Sequence, residues 1–193
     1  MTGSTLPTQT EIISSLYGGW RLFLGDETGV RYLRRDLDGF WAALWALIFV
    51  VPIYVLKIAL DLGGESVTML GFDGMVIEAE ILVLSGVIYA LAIYYILPSF
   101  ERESRYFDYM VAYLWIGMAQ VYIHTVPSIL RAIGVIPDQG ANFMAVSLVL
   151  AMLWWSWFMT RTTLNVNGGQ AGLIVAGTVI YEFIFAMSLS RLL

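Results

Sequence analysis

Long apolar runs alternate with short polar breaks along the chain. A bilayer core of about 30 Å needs about 20 apolar residues at 1.5 Å each, and five runs meet that length. They lie at about 39–60 ("GFWAALWALIFVVPIYVLKIAL"), 76–97 (ending "VIYALAIYYIL"), 107–130 ("FDYMVAYLWIGMAQVYIHTVPSIL"), 141–160 ("ANFMAVSLVLAMLWWSWFMT") and 171–190. A transmembrane barrel would instead show alternating segments of about ten residues. These runs are continuous, so the pattern predicts an all-α, polytopic membrane bundle. It has about five transmembrane helices over 39–193 and an N-terminal segment at 1–38.

That segment carries its own pattern. In "EIISSLYGGWRLFL", Ile12, Ile13, Leu16, Tyr17, Trp20, Phe23 and Leu24 form a broad apolar face at helical spacing. Trp20 beside Arg21 suits an amphipathic helix lying in the headgroup plane. Packing against the cytoplasmic ends of the spans is the other reading. Gly18–Gly19 is expected to break or bend this helix. "GDETG" reads as a turn, and "VRYLRRDLDGFW" leads into the first span.

Composition agrees with the membrane reading. Only 13% of residues are charged and 59% are hydrophobic, with a mean hydropathy of +0.76. Soluble domains carry about 25% charged residues. The net charge is −5, with no basic run for nucleic acid. There is no Cys, which excludes disulfides, thiolate metal sites and cysteine nucleophiles. "MTGSTLPTQTEIISS" lacks a basic stretch followed by an apolar core, so the first span is expected to serve as its own insertion signal.

The distribution of Lys and Arg sets an expected orientation. Arg21, Arg31, Arg34, Arg35, Arg102, Arg105 and Arg161 fall on one side; Lys57, Arg131 and Arg191 fall on the other. The N-terminus is therefore expected in the cytoplasm and the C-terminus outside. The acidic stretch from Asp61 to Glu80, which has no basic residue, fits the outer side. Trp20, Trp41, Trp45, Trp154 and Trp157 are candidate interfacial anchors. A bacterial inner membrane is the expected location.

Candidate chemistry is sparse. Glu182 interrupts the last apolar run, about 17 Å from its start. Gln120 lies about 19 Å into the third span, Ser147 comes to a similar level on the fourth, and His124 is one turn from Gln120. Glu182, Gln120, His124 and Ser147 are thus a candidate intramembrane polar cluster. It would serve either as an interhelix hydrogen bond or in proton or cation handling. One His without Cys makes no zinc site, and no metal or cofactor is expected. Pro52 and Pro127 should kink their helices. Gly172 and Ala176 form a small-xxx-small step expected to bring the fifth span close to a neighbour. The charged borders "RRDLDGF" and "PSFERESRYFD" would form a cytoplasmic docking surface if they paired. No phosphate loop, HExxH helix or GxSxG elbow is present, which argues against an enzyme.

"LYGGWRLFLGD" before the bundle, Pro52 in the first span, and short breaks at "PSFERESRYFD" and "NVNGGQAG" complete a layout that resembles the Yip domain family of membrane proteins. The likeness covers most of residues 20–193. It implies a cytoplasmic N-terminal region, five closely spaced helices and a role in membrane trafficking or organisation. It carries over no catalytic residue. The acidic segment 61–80 departs from the family layout. The expected function is a non-enzymatic protein that organises membranes or assembles with other membrane components. Its partners would be the bilayer, other membrane proteins or itself as a homo-oligomer. The alternative is a small transporter or channel subunit using an intramembrane Glu/His pair.

Overall fold

The computed structural model describes residues 6–62 and 64–189, with side chains described except at 64–70, 72 and 186–189. Arg191 and the side chain of Glu65 lie outside the described residues. Every regular element among these residues is helical: α1 (Gln9–Phe23), α2 (Leu37–Leu62), α3 (Gly64–Ile96), α4 (Tyr106–Ala132), α5 (Asp138–Leu164) and α6 (Gly168–Leu189), with short 3-10 turns at Glu27–Tyr32, Leu97–Phe100 and Glu103–Arg105.

The helix ends follow from local chemistry. Asp36 caps α2, its Oδ1 accepting from Gly39 N at 2.6 Å. At α6, Gln170 N donates to Asn167 Oδ1 (2.9 Å) while Asn167 N donates to Gln170 Oε1 (3.2 Å), a reciprocal capping box. Within α3 the helix breaks at Gly71, whose φ of 64° suits a residue without Cβ. Pro52 and Pro127 both lie inside continuous helices. The carbonyl of Phe49, beside the one that Pro52 leaves without its donor, accepts from Tyr122 OH at 3.0 Å.

Among the described residues, four helices are long and apolar enough to cross a membrane: Leu37–Leu62, Asp73–Phe100, Asp138–Leu164 and Gly168–Phe185. The expected third run forms α4, which is just as long at 27 residues but holds no stretch as apolar as those four. Its position explains the difference. Tyr109, Met110, Val111 and Ala112 are buried in succession, so every face of that turn is covered by protein. A helix enclosed by its neighbours answers to them and not to lipid. Cross-links run from α4 to α2 (Tyr122 to Phe49) and to α5 (Gln120 to Ser156 Oγ, 3.2 Å). Successive long helices run antiparallel. The ends of the bundle are called near (the starts of α2, α4 and α6) and far.

α1 continues through Gly18–Gly19 unbroken and packs on α4 and α5. Residues 26–32 fold back on it as a hairpin. Gly18 and Gly29 form the crossing: a Cβ on Gly18 would stand 2.6 Å from Gly29 O, and one on Gly29 would stand 2.5 Å from Gly18 O. Gly19 likewise lets Ile116 and Trp155 approach. The tip is held by Arg21 paired with Asp26, whose Oδ1 also accepts from Thr28 N (2.9 Å) and Thr28 Oγ1 (2.7 Å). Those Thr28 bonds, with Arg21 behind them, hold the Asp26 carboxyl below the usual carboxylate range.

The hairpin tip reaches well down the bundle. Trp154 Nε1 donates to Phe23 O at 3.1 Å. Trp154 lies ten residues from the near end of α5 at Leu164, or about 15 Å along a helix about 40 Å long. Trp20 and Phe23 border a small cleft with Ile123 and Leu148, deeper still. Trp20 is half exposed beside that cleft. Trp154 serves α1, and Trp157 ties α5 to α6 by donating to Gly168 O at 2.9 Å. Trp41 is half exposed and Trp45 partly buried, both near the start of α2.

The small-residue step on α6 also needs correction. Ala176 is exposed, and a Cβ at Gly172 would meet nothing within 4 Å. The packed face is Ala171, Ile174 and Val175, rotated by about 100° from the expected one. The two charged borders do meet: Arg35 Nη1 contacts Asp108 Oδ2 at 3.2 Å, and Arg105 Nη1 contacts the same oxygen at 2.9 Å.

Candidate functional site: a chamber between the helices

A cavity of about 730 Å³ opens between the helices, lined by residues of α2, α3, α4, α5 and α6, with Glu182 on its exposed side. Its walls are mostly apolar, with Leu47, Val50, Ile81 and Met118 among them, and four aromatic rings: Tyr54, Tyr113, Tyr181 and Phe185. Into this lining project Glu78 from α3, His124 and Gln120 from α4, Ser156 from α5, and Glu182 from α6.

The structure brings together three of the four residues in the expected polar cluster. Glu182, His124 and Gln120 all line the chamber. Ser147 does not: it is exposed, and its hydroxyl donates to Phe143 O of its own helix at 2.9 Å. Ser156 takes its place, 3.2 Å from Gln120 Nε2, which also reaches Met152 O at 3.5 Å. The reason is geometric. Ser147 and Ser156 differ by nine positions, which at about 100° per residue leaves them half a turn apart. Depth arithmetic alone does not register that rotation.

Gln120 is satisfied, but the titratable groups are not. Among the described residues, the side chains of Glu78, His124 and Glu182 have no hydrogen-bond or ion-pair partner. Among the described residues no Lys or Arg lines the chamber. No group of three His, Asp or Glu among the described residues is placed to hold a metal ion.

Both ends of the chamber are built. Towards the near end, a hydroxyl chain links three helices: Tyr89 OH lies 2.6 Å from Tyr109 OH and 2.8 Å from Thr178 Oγ1. Tyr113 stacks on Tyr89 with ring centroids 4.4 Å apart. Just below, Tyr181 OH donates to Ser85 O at 2.8 Å, a second tie between α6 and α3. At the far end, α2 and α4 are clamped around Asp61. It pairs with Lys57 (2.5 Å) and Arg131 (3.3 Å) and accepts from Ser128 Oγ (2.6 Å).

Sequence reasoning missed Glu78, Ser156 and the tyrosines. Glu78 lies within the acidic stretch from Asp61 to Glu80 and reads as one of its outer carboxylates, yet it sits on the helical wall. The tyrosines did carry a signal. Tyrosine belongs to the membrane interface, and Tyr89 falls deep inside an apolar run, where its hydroxyl needs a partner.

The chain matches no protein-family model, no characterised protein and no solved structure.

Proposed function

We propose that this chain is a membrane-embedded solute-binding protein, a small transporter or channel subunit, whose chamber takes up a solute or protons between its helices. In this reading α4 is the fifth crossing, with the N-terminus cytoplasmic and the C-terminus outside in a bacterial inner membrane. The seven-to-three division of basic residues supports that orientation. The helix length supports the fifth crossing: 27 residues rise about 40 Å.

One observation carries the reading: Glu78, His124 and Glu182 face the same 730 Å³ space with no protein partner among the described residues. Ionisable groups within membrane spans are expensive, and they persist where they pair or line a cavity that water or a ligand reaches. Here the pairing is absent and the cavity is present. Its volume lies within the roughly 300–1,000 Å³ of small-molecule sites. An assembly role of the kind the Yip-like layout implies would rest on exposed apolar surface, which any lipid-facing helix presents. The chamber is the more specific feature.

The test is proton flux in proteoliposomes, followed by a trapped pH-sensitive dye. Glu182→Gln removes the exchangeable proton and keeps the shape, so it is expected to abolish pH-dependent flux at unchanged protein yield. If Glu182→Gln and Glu182→Ala lower only thermal stability and leave flux intact, the reading fails.

A further inference from the structure

We infer that the ligand of this chamber is a small organic cation with an apolar, preferably aromatic, body. The inference rests on the solute-binding reading and adds the chemical class of the solute.

Charge gives the sign. Among the described residues, Glu78 and Glu182 are the only lining residues whose ordinary ionised form is negative, and no described Lys or Arg lines the space with them. His124 is the one other titratable group in the described lining besides the tyrosines, and its side chain has no hydrogen-bond or ion-pair partner among the described residues. An anion would lose its water against two carboxylates and recover no salt bridge. A neutral solute would cover the carboxylates without giving them a partner. A cation gives those carboxylates the partner that the protein withholds.

The rest of the wall suits an organic cation better than a bare metal ion. An inorganic cation stripped of water needs several oxygen ligands close together. The described residues hold no cluster of three His, Asp or Glu, and about 730 Å³ is far larger than one ion needs. The lining instead carries Tyr54, Tyr113, Tyr181 and Phe185 together with aliphatic side chains. Aromatic faces attract a cation, most strongly where water is excluded. They also pack an apolar body, and aliphatic walls reward its burial. An alkylammonium with an aromatic tail satisfies charge, rings and apolar surface together.

The experiment uses the full chain in lipid nanodiscs and three probes of matched shape, titrated by calorimetry. They are a phenylalkyl trimethylammonium ion, its neutral analogue with carbon in place of nitrogen, and the phenylalkyl carboxylate. The ammonium is expected to bind about tenfold or more tightly than the neutral analogue, and the carboxylate weakest. Glu78→Gln and Glu182→Gln are each expected to weaken ammonium binding by about tenfold and to spare the neutral analogue. The three-probe comparison on the unsubstituted chain needs no variant to fold. Equal binding of ammonium and neutral analogue, preference for the carboxylate, or no binding of the ammonium overturns the cation class. The dye-flux assay decides separately on the chamber. If pH-dependent flux is lost in Glu182→Gln while the ammonium fails to bind, the solute-binding reading stands and only the cation class falls.

Discussion

Glycines with the same side chain have opposite consequences in this chain. A Cβ on Gly18 would stand 2.6 Å from Gly29 O, a backbone atom that no rotamer change can move aside. A Cβ on Gly172 would meet nothing within 4 Å. Gly18→Leu is therefore expected to pry the hairpin from α1 at a cost of about 1–3 kcal/mol. The readout is faster tryptic cleavage at Arg31 and Arg34 together with a lower melting temperature. Gly172→Leu is expected to change stability by less than about 0.5 kcal/mol, although the small-xxx-small pattern singles out that position and not Gly18. The chamber residues divide in a similar way. Glu182, His124 and Gln120 are legible because a polar group inside an apolar run is conspicuous. Glu78 is concealed by its acidic neighbours, and the choice between Ser147 and Ser156 depends on a half-turn that depth does not record.

Among the elements, α4 and α3 contrast most. α4 carries Asp108, Gln120, His124, Thr125 and Arg131 and is the most enclosed helix, whereas α3 is more apolar and largely exposed. Enclosure relieves α4 of the need to match lipid, so hydropathy understates its membership of the bundle. α3 is held to α6 by few bonds. Tyr89 makes two of the cross-helix hydrogen bonds and Tyr181 makes one. Intramembrane bonds of this kind are worth about 0.6 kcal/mol on average, up to about 1.7. Tyr89→Phe is expected to destabilise the bundle by about 1 kcal/mol and by more than Tyr181→Phe, measured by equilibrium unfolding in mixed micelles. Equal effects would mean that the hydroxyl chain from Tyr109 to Thr178 does not act as a tie.

For the whole molecule, the α1 hairpin raises the question of what surrounds it. Its tip lies roughly 15 Å down a helix of about 40 Å. Beside that tip, Glu27 and Arg31 are exposed and have no ion-pair partner among the described residues. Each such charge costs about 2.5–3.5 kcal/mol at the centre of a spanning helix on insertion scales. In a bilayer, a flank carrying both is expected to be covered by water or protein. The chain has no Cys, which gives a clean background for labelling. In native membranes Glu27→Cys is expected to react with a water-soluble maleimide, and Leu91→Cys on the exposed face of α3 is not. If Leu91→Cys reacted as readily, the lipid-facing assignment of α3 would fail.

The sequence by itself determined the class of molecule and the placing of its long helices along the chain. Lipid imposes its demand on each segment separately, because backbone polar groups must be satisfied within the segment and its side chains must tolerate hydrocarbon. That demand can be read in one dimension. Only the tertiary structure decided where α1 lies, that α4 is central, and that Glu78, His124 and Glu182 share one space. Those outcomes depend on helix rotation and on the register between neighbours. Rotation changes by about 100° at each residue, so an error of one or two positions, invisible to composition, turns a wall of the chamber into an outer face.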